Sequence, residues 1–314
     1  MTKPPAPDRG EMAPTAVHAV TGPFSYTGRH IADRLRRRGA TVRGLVRRPP
    51  QAAASGIDCR ELQFTDRGRL IADLRGVEVL HNTYWIRCPR GDMTFEQAVA
   101  NTRVLADAAA AAGVQRIVHL SVSNPAAESP FAYFRGKAAA ERAVSSAGVP
   151  VSVIRPTLIF GRGDILINNI AWLLRRLRMF AMPSEGRYRV QPVYVGDVAD
   201  LALREATWPE PRILDAAGPE VLSFAELVGW VAASLPVRTL VVPAPRPVAR
   251  LATDLLSRLL GDVLVTPEEL GALMVETLVS SGPPTAPTRF STWLRTHGRS
   301  LGLSYSSEIE RHWR

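Results

Sequence analysis

Tyr133-Phe-Arg-Gly-Lys137 sets a phenol and an ammonium four residues apart. On a helix, positions i and i+4 share a face, so the two groups reach a common site. A nearby cation favours phenolate and lowers the tyrosine pKa, which makes the pair an acid–base device near neutral pH. Of the 39 basic residues, only Lys3 and Lys137 are lysine. Arginine would supply a charge at position 137 with a different shape, hydration and donor geometry. A lysine kept four residues after a tyrosine, in a chain that otherwise uses arginine, reads as chemistry.

A second constellation lies near the start, in Val20-Thr-Gly-Pro-Phe-Ser-Tyr-Thr-Gly28. It falls between an apolar strand and the first helix. Small residues at such a turn let backbone N–H groups and the helix N-terminus face a pyrophosphate. Gly22 and Gly28 suit that role. Ser25 fills the middle position, where its side chain limits backbone approach or adds a hydroxyl contact, and Tyr26 and Thr27 complete the loop. The next strand ends Leu45-Val46-Arg47-Arg48, with no carboxylate. An NAD site usually places an acid there for the ribose 2′-OH, whereas arginine suits a 2′-phosphate. NADP is therefore the expected cofactor, ahead of NAD.

These groups need a scaffold, and the apolar pattern supplies one. Strand-like runs over residues 16–21, 41–46, 59–62, 77–83, 116–121 and 151–155 alternate with helical stretches over 28–38, 95–112 and 133–146. That rhythm predicts right-handed βαβ crossovers and an α/β fold: a Rossmann-type doubly wound parallel sheet with helices on both faces. After about residue 160 the pattern changes to helical stretches over 165–180, 223–234, 247–260 and 267–279, broken by Pro-rich loops. The expected organisation is a flexible tail (1–14), a dinucleotide-binding domain (15–160) and a smaller, mostly helical C-terminal substrate region (161–314), with segments at about 190–220 returning to the core.

The 314 residues are 46% hydrophobic and 22% charged, a globular composition that excludes wholesale disorder. No apolar run is long enough to span a membrane, and the first residues have no secretory pattern. Cys59 and Cys88 are too few for a disulfide framework or a zinc site, so a reducing, cytoplasmic setting is expected. The +10 charge is carried almost wholly by arginine. The runs at residues 34–38 and 175–178 read as solvated helix faces, and no nucleic-acid-binding motif accompanies them, so no nucleic-acid partner is expected. There is no H-E-x-x-H and no G-x-S-x-G, hence no metal and no acyl transfer. His81 and His119 sit in apolar strands and read as core residues. Asn168 and Asn169 either line a pocket or form a buried hydrogen-bonded pair; Tyr84 and Trp85 either stack near a cofactor or pack.

The phosphate loop, the Tyr–Lys pair and the order of elements resemble the short-chain dehydrogenase/reductase superfamily, in its extended and atypical branches, the epimerase/dehydratase-like and NmrA-like proteins. Asn82-Thr-Tyr-Trp85 resembles the segment that lines the nicotinamide side, so the resemblance implies cofactor contacts from Asn82 and Thr83. Arg155-Pro156 followed by Phe160-Gly161 resembles the stretch after the sixth strand, and implies one from Pro156. Pro192-Val-Tyr-Val-Gly-Asp-Val-Ala199 resembles the segment that returns the chain to the core. The likeness covers roughly residues 15–235. Ser25 departs from the usual middle glycine, and Gln63 stands where an Asp often contacts adenine. The family's catalytic serine falls near Val122, so Ser121 or Ser123 would hold the substrate oxygen, with Ser123 preferred. Tyr133 would exchange the proton, and Lys137 would tune it and hold the nicotinamide ribose. The activity implied is hydride transfer to or from a small carbonyl or hydroxyl substrate, by an oxidoreductase or epimerase. The alternative is a non-catalytic NADP sensor or accessory subunit. A homodimer is compatible with either.

Overall fold

The structure, a computed structural model, describes residues 16–49, 56–307 and 309; the expected tail over 1–14 lies outside them. The first half runs β1 (Val17–Thr21), α1 (Tyr26–Arg37), β2 (Thr41–Val46), β3 (Asp58–Glu61), α2 (Arg67–Leu74), β4 (Val79–Asn82), α3 (Phe95–Ala112), β5 (Arg116–Leu120), α4 (Ala132–Ser145) and β6 (Val151–Pro156). The second half adds β7 (Leu158–Phe160), α5 (Leu166–Leu177), β8 (Met179–Pro183), β9 (Arg189–Val190), β10 (Pro192–Tyr194), α6 (Val195–Thr207), β11 (Ile213–Ala216), β12 (Leu222–Ser223), α7 (Phe224–Ser234), β13 (Leu240–Ala244), α8 (Arg246–Leu260), α9 (Pro267–Met274) and α10 (Phe290–His297).

Seven strands form one sheet in the order β11-β6-β5-β4-β1-β2-β3, every pair parallel. Such strands are buried on both faces, so their residues serve two cores. Ala19, Leu45, Leu80 and Ile117 pack with Leu70 and Leu74 of α2, Leu105 of α3 and Val144 of α4. Val20, Val42, Val118 and Ile154 pack on the other face with Ile31 and Leu35 of α1 and Val198 and Ala202 of α6. This is the doubly wound α/β architecture that the alternating pattern predicts. The chain leaves β1 towards β2 and β3 on one side, and β4 and β5 build the other. The order therefore reverses between β1 and β4, and the crevice beyond their carboxyl ends is where such sheets take ligands.

The C-terminal residues build a third core around Phe160, in which Ile167, Ile170 and Leu174 of α5 meet Leu227 and Val231 of α7 and Phe290 and Trp293 of α10. One expected helix is divided. The apolar run over 165–180 stops being helical at Arg178, whose φ of 57° closes α5, and its last residues pair as β8 with β13. The expected helix over 267–279 ends at Met274, and Glu276 takes a φ of 61°. Among the described residues no helix is long and apolar enough to cross a membrane, and no group of side chains could hold a metal ion.

Candidate functional site

The β1–α1 turn begins with Gly22, whose φ of 60° lies in the left-handed region that favours glycine. Its N–H donates to the Leu45 carbonyl at 2.8 Å and its own carbonyl accepts from the Ser25 N–H at 2.9 Å, which folds the loop against the end of β2. Gly28 is required for a different reason. A Cβ there would stand 2.0 Å from the Gly22 carbonyl oxygen. Only glycine lets α1 begin so close under the loop. Ser25 is the N-cap of α1, its Oγ accepting the Gly28 N–H at 3.2 Å. Tyr26 and Thr27 open the helix, and its first turn holds no acid. The positive end of the helix dipole is thus not neutralised by a carboxylate of its own first turn and suits an anion. Arg47 and Arg48 follow β2 and are exposed. A backbone cradle that side chains at Gly22 or Gly28 would disturb, beside a helix N-terminus and two arginines, fits a dinucleotide.

Across the crevice, Thr21 ties β1 to the residues after β4. Its Oγ accepts the Thr83 N–H at 2.7 Å, and the Thr83 hydroxyl donates to the Thr21 carbonyl. Asn82 is turned into the sheet. Its Nδ2 bonds His119 Nδ1 at 3.0 Å and its Oδ1 accepts the Tyr84 N–H at 3.0 Å. The Asn82 and Thr83 side chains, expected at the cofactor, are here engaged in holding the floor of the crevice. His81 and His119 are fully buried, and burial pushes His81 well below its ordinary value and His119 to about 3. They are neutral core groups.

Tyr133 and Lys137 lie on the first turns of α4, and Trp85 meets both. The indole packs edge-on to the Tyr133 ring at 6.2 Å and stacks on Phe95 at 6.0 Å, while Lys137 Nζ sits 4.7 Å from the indole centroid. Lys137 is 3% exposed and Nζ donates to the Leu120 carbonyl at 3.0 Å. Burial lowers its pKa from 10.5 to about 7, against a smaller raising effect of Glu141. Glu141 is itself held by Arg155 at 2.6 Å. The Tyr133 backbone N–H, an orphan donor of a helix N-terminus, is accepted by the Glu268 carboxylate at 3.0 Å. Glu268 comes from α9, and its part here has no local sequence signal.

The two serines part company. Ser123 is fully buried, and its hydroxyl donates to the Thr277 carbonyl at 2.7 Å; Asn124 bonds the same carbonyl. Ser123, the serine preferred from sequence, thus fastens the C-terminal region to the sheet in this structure. Ser121 lines a cavity, and its buried Oγ has no hydrogen-bond partner.

That cavity, about 660 Å³, reaches from Ser121, Tyr133 and Pro156 at the carboxyl edge of the sheet to Leu177 and Met179, which are half exposed. Phe95, Phe134, Ile170, Leu173 and Leu256 form its apolar walls. Its charged groups are largely engaged with protein: Arg87 bonds Glu269 at 2.6 Å, and Asp164 accepts the Ile167 N–H at 2.7 Å. Asn168 and Asn169 are buried, bonded to each other and to Ser304 and Ser306, and Asn169 also lines the cavity.

A family model described as NAD(P)H-binding matches residues 25–162. The NADH-ubiquinone oxidoreductase 40 kDa subunit of Neurospora crassa is 25% identical over 288 residues, 85% of this chain and 74% of that protein. The 4-hydroxy-2-methyl-3-oxo-4-farnesyl-3,4-dihydroquinoline-1-oxide ketoreductase of Stigmatella aurantiaca is 31% identical over 244 residues, 67% of this chain and 71% of that protein. An NADPH-dependent quinone oxidoreductase from Escherichia coli superposes with a TM-score of 0.69 over 89% of this chain and 99% of its own, at 18% identity, which speaks for the fold alone. With a loop that fits a dinucleotide at the switch point of a doubly wound sheet, an NAD(P)H-binding family match and a ketoreductase relative across two thirds of its length, the chain belongs to the short-chain dehydrogenase/reductase superfamily.

Proposed function

We propose that the chain is an NADP(H)-dependent oxidoreductase that reduces a carbonyl on a largely apolar substrate. The observation that carries this reading is the Ser121 hydroxyl. It is buried, lacks a partner, and opens into the same cavity as Tyr133. A buried hydroxyl left unsatisfied is costly and marks a place for a ligand oxygen.

Gly22, Gly28 and the α1 N-terminus would hold the pyrophosphate, and Arg47 or Arg48 the 2′-phosphate. The bound cofactor would supply the hydride. Ser121 donates a hydrogen bond to the substrate oxygen and polarises the carbonyl. Tyr133 gives that oxygen a proton. Lys137, one turn on, favours the phenolate left behind while it carries its charge. Burial holds its pKa at about 7, so the ammonium is present at and below neutral pH and is lost above it. The apolar walls exclude water from this exchange and fit an aromatic or isoprenoid body. The ketoreductase relative, whose named substrate carries a farnesyl chain, supports the same substrate class.

A second reading, a non-catalytic NADP-binding subunit, is favoured by the Trp85 ring lying against both Tyr133 and Lys137 and by the likeness to the 40 kDa subunit. NADPH consumption, measured over ketones and quinones of increasing chain length, separates the two. Activity that rises with apolar bulk and falls at least about a hundredfold in Tyr133→Phe, with NADPH binding intact, supports the enzyme. Tight NADPH binding with no turnover on the whole series supports the subunit.

A further inference from the structure

Helix α8 covers the outer wall of the cavity with Ala249, Ala252, Thr253 and Leu256. A helix that only roofs a cavity would show polar residues everywhere else. Instead Val248, Leu251, Leu255 and Leu259 recur at intervals of three and four and are exposed, Leu251 by 70% and Leu259 by 75%. At 3.6 residues per turn these four form a stripe directly beside the cavity-facing row. The apolar surface of α8 therefore wraps about half the helix, and only the inner part of it is covered.

The stripe is not alone. Leu177 and Met179, at the open end of the cavity, are 52% and 50% exposed. Leu240 pairs in register with Met179 and is exposed too, as is Val242 on the same strand. An apolar surface of this kind on a soluble chain marks a docking site. Its charge says what docks. The segments that bear it carry exposed Arg176, Arg178, Arg238, Arg246, Arg250 and Arg258 against one acid, Asp254, which pairs with Arg250 at 3.8 Å. Arg258 borders the leucine stripe next to Leu251, and Arg176, Arg178 and Arg238 stand beside Leu177, Met179 and Leu240 in the chain, while Arg250 lies with Asp254 on the polar face of α8. Apolar side chains at the centre with arginines at the border suit a surface that is hydrocarbon inside and anionic outside, a bilayer interface.

We infer that the outer face of α8, with β8 and β13, docks on an anionic membrane surface and sets the open end of the cavity against the lipid. This deepens the proposed reduction of an apolar substrate, since a lipophilic molecule could enter from the bilayer without crossing water, but the docking itself does not depend on that chemistry.

The test is flotation of the full chain with vesicles of phosphatidylcholine alone and of phosphatidylcholine with about one third phosphatidylglycerol. Binding is expected to the anionic vesicles, weakened by about 0.5 M salt, which shortens the Debye length. Leu251→Glu/Leu259→Glu should lower the binding at least tenfold, and Arg246→Gln/Arg258→Gln should lower it on anionic vesicles. The NADPH-induced rise in Tm, measured in parallel, should be the same in both variants and the parent, because these residues are remote from the phosphate loop. No binding to either vesicle would overturn the inference, as would undiminished binding by the glutamate variant. So would a stable dimer that the glutamate variant dissolves, since a second copy would then own the surface. Loss of the NADPH response in the parent chain, with vesicle binding kept, would instead remove the oxidoreductase reading alone.

Discussion

Lys137→Met should make the protein more stable and leave it catalytically impaired. The side chain is 3% exposed, and burial drags its pKa from 10.5 to about 7. At 1.36 kcal/mol per unit, keeping a proton on this amine near neutral pH costs roughly 5 kcal/mol relative to the unfolded chain. Methionine has similar length and no charge. Removing Nζ also deprives the Leu120 carbonyl of a donor, a loss of about 1–3 kcal/mol. The balance is a gain of about 2–4 kcal/mol, or several degrees in Tm. The sign with pH follows from proton counts. Between pH 7 and 10.5 the unfolded chain holds a proton on this lysine that the folded chain has released. Parent stability therefore climbs with pH through that window, and the variant lacks this contribution. Thermal melts at about pH 6.5 and 9.5 should show the variant ahead at the lower pH, with its advantage shrinking at the higher. Turnover should fall by about 10² or more. A variant less stable than the parent at the lower pH, or a difference that does not move with pH, would refute the idea that Lys137 is a desolvated cation held for function.

Gly28→Ala should remove the NADPH-induced rise in Tm, because its Cβ would lie 2.0 Å from the Gly22 carbonyl oxygen; an unchanged rise would place the cradle elsewhere. Ser121→Ala should cut turnover with little change in Tm, whereas Ser123→Ala should cost about 1 kcal/mol of stability by removing one of the two hydrogen bonds to the Thr277 carbonyl; the opposite pattern in paired activity and melting assays would favour Ser123 at the site. A guanidinium contact to the 2′-phosphate is worth about 1.5–3 kcal/mol, so calorimetry should find NADPH bound on the order of tenfold to a hundredfold more tightly than NADH. Arg47→Ala or Arg48→Ala should narrow that gap, and equal affinities in the parent would dismiss both arginines.

What could be read from residues alone was whatever neighbouring residues determine. The glycines of the first turn, the strand–helix alternation and the lone lysine after a tyrosine each carry their meaning within a few positions, and the parallel sheet with its crevice follows from them. Distant partners decided the rest. Ser121 and Ser123 look equivalent in sequence, and they differ because the Thr277 carbonyl arrives at one of them from far along the chain. Glu268 caps the helix bearing Tyr133 from another element. Arg178 takes a left-handed conformation without the glycine that would have announced a helix end, since the residues after it gain a strand partner in β13. The stripe on α8 shows the same limit in another form. Spacing at three and four predicts an apolar helix face, but the same spacing describes a face turned to the core and one turned outward. Packing alone reveals that the row ending at Leu256 is covered and the row ending at Leu259 is not. The arginine run over 175–178, which reads in the sequence as a solvated helix face, gains a further meaning once folding sets it beside that uncovered apolar surface. A residue's local pattern thus tells what surface it makes, and the tertiary structure tells whether that surface still wants a partner.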